Sequence, residues 1–128
     1  MHVMAPHDPY VFGPNGEEVD YKYTFGPTGT PYLDPKEEKN AYLNQLTYLT
    51  KILEETIEEL QENSGNQPII IVQSDTGPST NFGEMTNEMH QVGRMSILNA
   101  YYFPNGQYDL LYNDITPVNS FRAVFDAQ

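Results

Sequence analysis

The spacing of apolar residues predicts one long helix as the dominant element of this chain, over about Pro35 to Asn63. Leucine and isoleucine recur there every three or four positions, which places them in one stripe along a helix: Leu43, Leu46, Leu49, Leu53, Ile57 and Leu60. Asp34 is a suitable N-cap, Pro35 fits the first helical position, and Glu37 completes a capping-box pattern. We therefore expect a well-defined helix start and one apolar face.

The opposite face of this helix is acidic. It carries Glu54, Glu55, Glu58, Glu59 and Glu62. Several of these lie four residues apart with like charge, and they crowd the C-terminal half, where the helix dipole disfavours anions. We interpret this face as solvated, and an acidic docking face is the alternative.

A run of branched apolar residues at 68–74 predicts a strand that is buried on both faces. The run ends abruptly in a polar, turn-forming stretch that contains Asp75. In open α/β sheets, ligands bind just beyond the carboxyl ends of the strands. Asp75 is therefore a candidate metal or substrate ligand. The alternative is that its carboxylate caps the turn by accepting backbone N–H groups.

The rest of the chain has a weaker pattern of apolar and polar residues. The first residues, 2–5, resemble the tail of a strand, and the Gly- and Pro-rich stretch 13–33 is predicted to be loop. Residues 76–94 are polar and predicted to be irregular, before a second strand from Arg94 to Phe103. A final helix is expected from Pro117 to Phe125, after a Pro-Asn-Gly turn, with one apolar face: Val118, Phe121, Val124 and Phe125.

The order strand, long helix, strand, loop, strand, helix predicts an α/β layering in which the first two strands form a right-handed crossover. The chain has 128 residues, which suits a single unit with its own core. Thirty-eight per cent of the residues are hydrophobic, so disorder is not the expectation.

Charge and cysteine content narrow the possible partners. Eighteen acidic residues against six basic ones give a net charge of -12, which argues against nucleic acid or an anionic membrane as the partner. The chain has no cysteine, which excludes disulfides and thiolate metal sites. No apolar run approaches the roughly 20 residues of a membrane-spanning helix.

Four collinear segments carry a resemblance to a known family. They read PHDPYVF at 6–12, IIIVQSDTGP at 69–78, SILNAYYFP at 96–104 and ITPVNSFR at 115–122. In this order they resemble segments of the alkaline phosphatase and sulfatase superfamily. The nearest branch is similar to the bacterial sulfatase-like hydrolases and transferases related to lipoteichoic acid synthases.

The resemblance implies a fold and an extent. Residues 1–128 would form a single unit, the C-terminal portion of a sulfatase-like domain, built as a partial three-layer sandwich of the alkaline-phosphatase-like fold. A long amphipathic helix would pack on a mostly parallel sheet. The N-terminal half, with the nucleophile and an acidic metal ligand, would lie outside this chain, so no residue here is assigned a catalytic role.

The resemblance also implies roles for two residues. Asp75 matches the Asp of the family's SDHG motif and would bind the metal, which is manganese, zinc, magnesium or calcium in the parent family. Thr76 stands where the family has a second metal-binding His, so metal binding by this chain is expected to be weak or absent. His7 matches a His that contacts the metal site or the transferred group, and is the candidate substrate-binding residue.

Other residues have plainer interpretations. A lone His such as His7 is, on sequence alone, more often an exposed or hydrogen-bonded residue. Thr76 has no adjacent base that would make it a nucleophile. His90 is expected to be structural or exposed, and Arg94 could contact an anion or pair with a carboxylate. The tyrosines could stack on sugars, but with ten spread along the chain, packing is the favoured explanation.

The leading hypothesis is therefore a fragment or shortened relative of a metal-dependent sulfatase-like hydrolase or transferase, acting on phosphate or sulfate esters and inactive alone. Its partner would be the missing N-terminal half or a second copy of the chain. The alternative is a non-catalytic binding or interaction module derived from that fold, and a third is a truncated segment without an independent role. The resemblance leaves the compartment open and allows an extracytoplasmic, membrane-tethered parent.

Overall fold

A computed structural model describes residues 2–19, 33–65, 68–78 and 86–126. Within these ranges the order of elements along the chain is helix, strand, helix, strand, helix. They are α1 (Pro35–Asn63), β1 (Ile70–Gln73), α2 (Asn87–Met95), β2 (Asn99–Tyr102) and α3 (Pro117–Asp126).

The sheet is small and antiparallel. β1 pairs with β2 in a register that sets Ile70 opposite Tyr102 and Gln73 opposite Asn99. The predicted α/β three-layer sandwich with a mostly parallel sheet is therefore wrong for the described residues. β2 follows α2 in the chain and runs alongside β1 in the opposite direction. Residues 2–5, expected to end a strand, form none, so the predicted right-handed crossover around α1 has no first strand.

The start of α1 follows the predicted capping pattern. The Asp34 carboxylate accepts the backbone N–H of Lys36 at 2.8 Å and that of Glu37 at 3.1 Å. The Glu37 side chain accepts the backbone N–H of Asp34 at 3.4 Å. These bonds satisfy donors that the first turn leaves unpaired, which explains why the predicted helix bounds are confirmed.

The buried face of α1 differs from the predicted one. Its buried residues are Glu38 and Gln45, whereas Leu43 and Leu60, at the two ends of the leucine stripe, are each 44% exposed. Among the helices and strands described, only β1 and β2 contact each other extensively. No described sheet covers the stripe, and α1 is instead contacted by the loop segment at residues 7–12.

The core of the C-terminal half lies between the sheet and α3. Phe103 and Val124 are its buried centre, with Ile69, Ile71, Tyr101 and Leu111 packed around them. The expectation that β1 is buried on both faces is wrong, because Ile70, Ile71 and Val72 are only half-buried.

The helix α3 buries a face that shares only Val124 with the predicted one. Ser120, Ala123 and Val124 are buried, whereas Val118, Phe121 and Phe125 are exposed. A polar network explains the difference. The hydroxyls of Tyr101 and Ser120 share a hydrogen bond, and Gln73 Nε2 donates to Ser120 Oγ at 3.2 Å. These bonds hold the small-residue face of α3 against the strands.

The helix α2 falls within a region predicted to be irregular. Thr86 caps it by accepting the backbone N–H of Met89 at 3.3 Å, and Arg94 lies in its last turn, where a cation is favoured. Both signals are visible in the sequence. The prediction of an irregular stretch over 76–94 is therefore wrong for 87–94, and the second strand begins only at Asn99.

Candidate functional site

The His7 segment, residues 7–12, is anchored to α1 by Gln45. The Gln45 Oε1 atom accepts the backbone N–H of Val11 at 2.8 Å and of Phe12 at 3.3 Å. Its Nε2 atom donates to the His7 carbonyl oxygen at 3.2 Å. The Gln45 side chain is fully buried, so one amide bonds both ends of the segment and sets the position of His7 relative to the helix.

The hydrogen bonds of His7 define its neutral tautomer. Its Nδ1 atom lies 2.6 Å from the Asp8 carbonyl oxygen and 2.8 Å from Asp8 Oδ1. A carbonyl oxygen can only accept, so Nδ1 carries the proton and donates. The Nε2 atom of the neutral ring is then the unprotonated nitrogen, with a lone pair that can bind a metal or accept a proton. The side chain is 66% exposed, so this nitrogen is accessible.

A buried carboxyl group lies on the same side of α1. Glu38 is 8% exposed, and its Oε1 atom has no hydrogen-bond partner in the described part of the chain. Burial raises the pKa of Glu38 above its ordinary value, and the nearby Asp8 carboxylate raises it further. Burial also raises the pKa of Tyr42, one turn along α1. The His7 segment therefore packs against a helix face on which negative charge is disfavoured.

The Asp75 loop, residues 74–78, follows β1 and is bound to the residues around β2 and the end of α2. Ser74 N–H donates to the Leu98 carbonyl, and Leu98 N–H donates to Ser74 Oγ, each at 2.9 Å. Gly77 N–H donates to the Arg94 carbonyl at 2.8 Å. The Asp75 carboxylate accepts the backbone N–H of Thr76 at 2.8 Å, and both side chains are exposed. Asp75 thus shapes its own turn while its carboxylate faces solvent.

The position of Gly77 in this loop requires the absence of a side chain. A Cβ atom there would collide with the Gly93 carbonyl oxygen and would lie 2.7 Å from that of Ser96. The loop therefore approaches the C-terminal end of α2 as closely as backbone allows. This contact places Asp75 and Thr76 beside the last turn of α2.

The two predicted site residues are held by different elements. The contacts above connect His7 to α1 and Asp75 to α2 and β2, and none of them joins one residue to the other. Within the described ranges, no group of three or more His, Cys, Asp or Glu side chains is arranged to hold a metal ion. These residues by themselves do not fit a complete metal site.

The secondary candidates are placed as follows. His90 is half-buried on α2, and Arg94 is exposed in its last turn. The packing interpretation of the tyrosines is confirmed for Tyr10, which is buried against Tyr42, and for Tyr101, which stacks on Phe103. Tyr112, in contrast, is 49% exposed.

Sequence reasoning missed Gln45 and Glu38. Both positions lie outside the predicted leucine stripe, where a polar residue on a helix is expected to face solvent. Their spacing of seven residues, which puts them on one face, is the signal that could have found them.

Comparisons with protein-family models, with curated protein sequences and with solved structures found no match to this chain. Across the described residues, no helix has both the length and the apolar character needed to cross a bilayer.

Proposed function

We propose that this chain is the C-terminal part of a sulfatase-like hydrolase or transferase acting on phosphate or sulfate esters, and that it is inactive alone. In this proposal His7 contacts the transferred group and Asp75 binds a divalent cation. The nucleophile and the remaining metal ligands belong to an N-terminal half that completes the site. The proposal rests on the four collinear sequence segments and on the geometry of His7.

The observation that carries the proposal is the state of the His7 imidazole. Asp8 takes up Nδ1, and Nε2 is left as an exposed base on a segment that Gln45 holds to α1. A ring nitrogen prepared in this way is typical of a histidine that binds a metal, because its partner sets the tautomer, and it must take up a proton before it can donate a hydrogen bond to an anionic group.

Metal binding is the weaker part of the proposal. Asp75 offers an exposed carboxylate, but its neighbour is a Thr hydroxyl, which is a poorer ligand for zinc or manganese than imidazole. The cation, which would be manganese, zinc, magnesium or calcium, is therefore expected to bind weakly or not at all to this chain alone.

A second candidate is a non-catalytic binding or interaction module. It is favoured by the hydrogen bond from Thr76 N–H to the Asp75 carboxylate, which gives that carboxylate a structural role within its turn. In this case Asp75 would stabilise the loop and no ester would be turned over in any assembly.

The experiment combines this chain with a matching N-terminal half from a sulfatase-like protein, either fused or co-expressed. Release of nitrophenol from phosphate and sulfate esters is measured with added manganese, zinc or magnesium. We expect no turnover by the chain alone and metal-dependent turnover by the complemented protein. His7→Ala and Asp75→Ala should abolish it, whereas Asp109→Ala, at another exposed carboxylate, should leave it unchanged.

The results of this experiment distinguish the two candidate functions. Turnover that Asp75→Ala and His7→Ala remove supports the hydrolase or transferase. A complemented protein that is folded but silent towards both ester classes supports the binding module. Turnover by the isolated chain that Asp75→Ala removes would contradict the proposed dependence on a second half.

A further inference from the structure

A groove lies beside the Asp75 loop, between the end of α2 and the loop that precedes α3. Its volume is about 470 Å³, within the range of roughly 300–1,000 Å³ that small-molecule sites occupy. Residues 95–97 form one wall, and the other is formed by Leu111, Tyr112, Asn113 and Ile115. Ser96 belongs to the first wall, and its carbonyl lies beside Gly77, so this wall adjoins the Asp75 loop.

Two tyrosines and two asparagines are among the residues that line this groove. They are Tyr101, Tyr112, Asn99 and Asn113, and the rest of the lining is Ser96 with four apolar residues: Met95, Ile97, Leu111 and Ile115. An aromatic face offers an apolar surface to the C–H face of a pyranose ring, and amides can both donate to and accept from its hydroxyls. This combination is the chemistry with which proteins bind sugars.

Hydrogen bonds within the protein hold several lining residues in place. The Tyr112 hydroxyl accepts from Asn119 Nδ2 at 3.1 Å. Asn99 accepts from Gln73 and donates to the Ile115 carbonyl, and the Tyr101 hydroxyl is bonded to Ser120. The rings are thus preorganised, which lowers the entropy lost on binding. The exposed side chains of Tyr112 and Asn113 remain available to a ligand.

The absence of charged residues from the groove lining that the structure describes indicates which class of ligand the groove can bind. The chain carries a net charge of -12, yet each of the nine residues that line the groove is uncharged. An anionic ligand would find no cationic partner among them, and a cationic ligand would find no carboxylate. The lining therefore favours a neutral molecule with many hydroxyl groups.

We propose that this groove binds a neutral saccharide of one or two rings, stacked on Tyr112 and hydrogen-bonded by Asn113. The inference stands apart from the proposed ester chemistry, because it requires neither a metal ion nor an ester. If both hold, the sugar is the organic part of the substrate, since the groove adjoins the Asp75 loop.

The test is an NMR titration of the ¹⁵N-labelled full chain with maltose and cellobiose, two neutral disaccharides that differ in linkage. We expect at least one of them to bind with a dissociation constant of about 1–10 mM, the weak range of an exposed groove. The shifts should concentrate at residues 95–99 and 111–115. Glucose 6-phosphate should bind no more tightly than glucose.

Single-residue variants distinguish binding in this groove from nonspecific binding of sugars elsewhere on the protein surface. Asn113→Ala should weaken binding about fivefold to tenfold, as the loss of roughly one hydrogen bond predicts. Asn44→Ala, which removes an exposed amide from α1, should have no effect. Tyr112→Phe keeps the ring and should retain binding, whereas Tyr112→Ala should abolish it.

Three results would overturn the inference. One is the absence of shifts in the groove at saturating disaccharide, and another is equal weakening by Asn113→Ala and Asn44→Ala. The third is clearly tighter binding of glucose 6-phosphate than of glucose, which would show that the groove recognises an anion. The second and third results do not require Tyr112→Ala to fold.

Discussion

Gln45 and Val11 lie 34 positions apart in the chain, and a 2.8 Å hydrogen bond joins the Val11 backbone N–H to the Gln45 side-chain oxygen. The same fully buried side chain also bonds Phe12 and His7. A single residue of α1 thereby satisfies three backbone groups of a loop that has little regular structure of its own. The helix thus orders this loop together with local bonds, in which the His7 N–H donates to the Met4 carbonyl at 3.2 Å and the Val19 N–H donates to the Val11 carbonyl at 3.1 Å.

Gln45→Ala should destabilise the protein by about 2–4 kcal/mol, because it leaves two N–H donors and one carbonyl of the His7 segment without their partners. Chemical denaturation monitored by circular dichroism measures the change. Gln91→Ala makes the same substitution at an exposed position of α2 and should cost less than about 0.5 kcal/mol. Equal stability of the two variants would mean that the segment does not depend on Gln45.

Gly77→Ala should destabilise the protein by about 1–3 kcal/mol, because its Cβ would collide with the carbonyl oxygens at the end of α2 and push the Asp75 loop away. Gly65→Ala is the matched control, since a Cβ at Gly65 meets nothing within 4 Å. Thermal unfolding of both variants measures the difference. A Gly77→Ala protein with the midpoint of the wild type would disprove the close contact between the loop and α2.

Glu38→Gln should stabilise the protein at neutral pH by about 1 kcal/mol, because it removes a buried charge. The folded-state pKa of Glu38 is raised above its ordinary value of 4.5 by burial and by Asp8, so the folded protein holds this proton more tightly than the unfolded chain. Wild-type stability should therefore fall as pH rises from 4.5 through the folded-state pKa. The advantage of the variant should be largest above that pKa and vanish near pH 4.

Denaturation midpoints measured between pH 4 and pH 8 provide the data for this comparison. The matched control is Glu58→Gln, which makes the same change of charge on an exposed part of α1. The change in stability caused by Glu58→Gln should not increase with pH as that caused by Glu38→Gln does. If the difference in denaturation midpoint between wild type and Glu38→Gln stayed constant from pH 4 to pH 8, the buried charge could not be the cause of the stabilisation.

Thr76→His should strengthen the binding of zinc or manganese, because imidazole replaces a hydroxyl next to the Asp75 carboxylate. A gain on the order of tenfold corresponds to about 1.4 kcal/mol. The exposed side chain at position 76 leaves room for the ring. Isothermal titration calorimetry compares both proteins, with Thr76→His/Asp75→Ala as the control that should lose the gain. Equal affinity with and without Asp75 would show that the two positions do not form a site.

The sequence predicted the elements that depend on local interactions. The start of α1 follows from Asp34 and Glu37, whose contacts span only three residues. The direction of β2 is seen only in its pairing with β1, and the face that α3 buries includes Ser120, whose hydroxyl meets that of Tyr101 only in the fold. No periodicity of apolar residues contains that information, and so the sheet was expected to be parallel and α3 to bury its phenylalanines.

In the candidate site, too, the local features could be predicted from the sequence, and those that depend on tertiary contacts could not. Asp75 was correctly expected to follow a strand, and the alternative that its carboxylate shapes the turn is also seen. The role of Gln45 could not be predicted, because a helical glutamine outside the apolar stripe resembles any solvated residue until its loop partner is placed. The uncharged groove beside α2 likewise depends on residues brought together from two separate stretches of the chain.

The antiparallel register of β1 and β2 implies an order of events in folding. The capping box and i to i+4 bonds of α1 are local, and helices of this kind form in about 0.1–1 μs. Ile70 can meet Tyr102 only after the intervening chain, including α2, has closed a loop, and that closure costs entropy before any strand contact compensates for it. We therefore expect α1 to be formed in the transition state, while the sheet and the Asp75 loop that depends on it become ordered late.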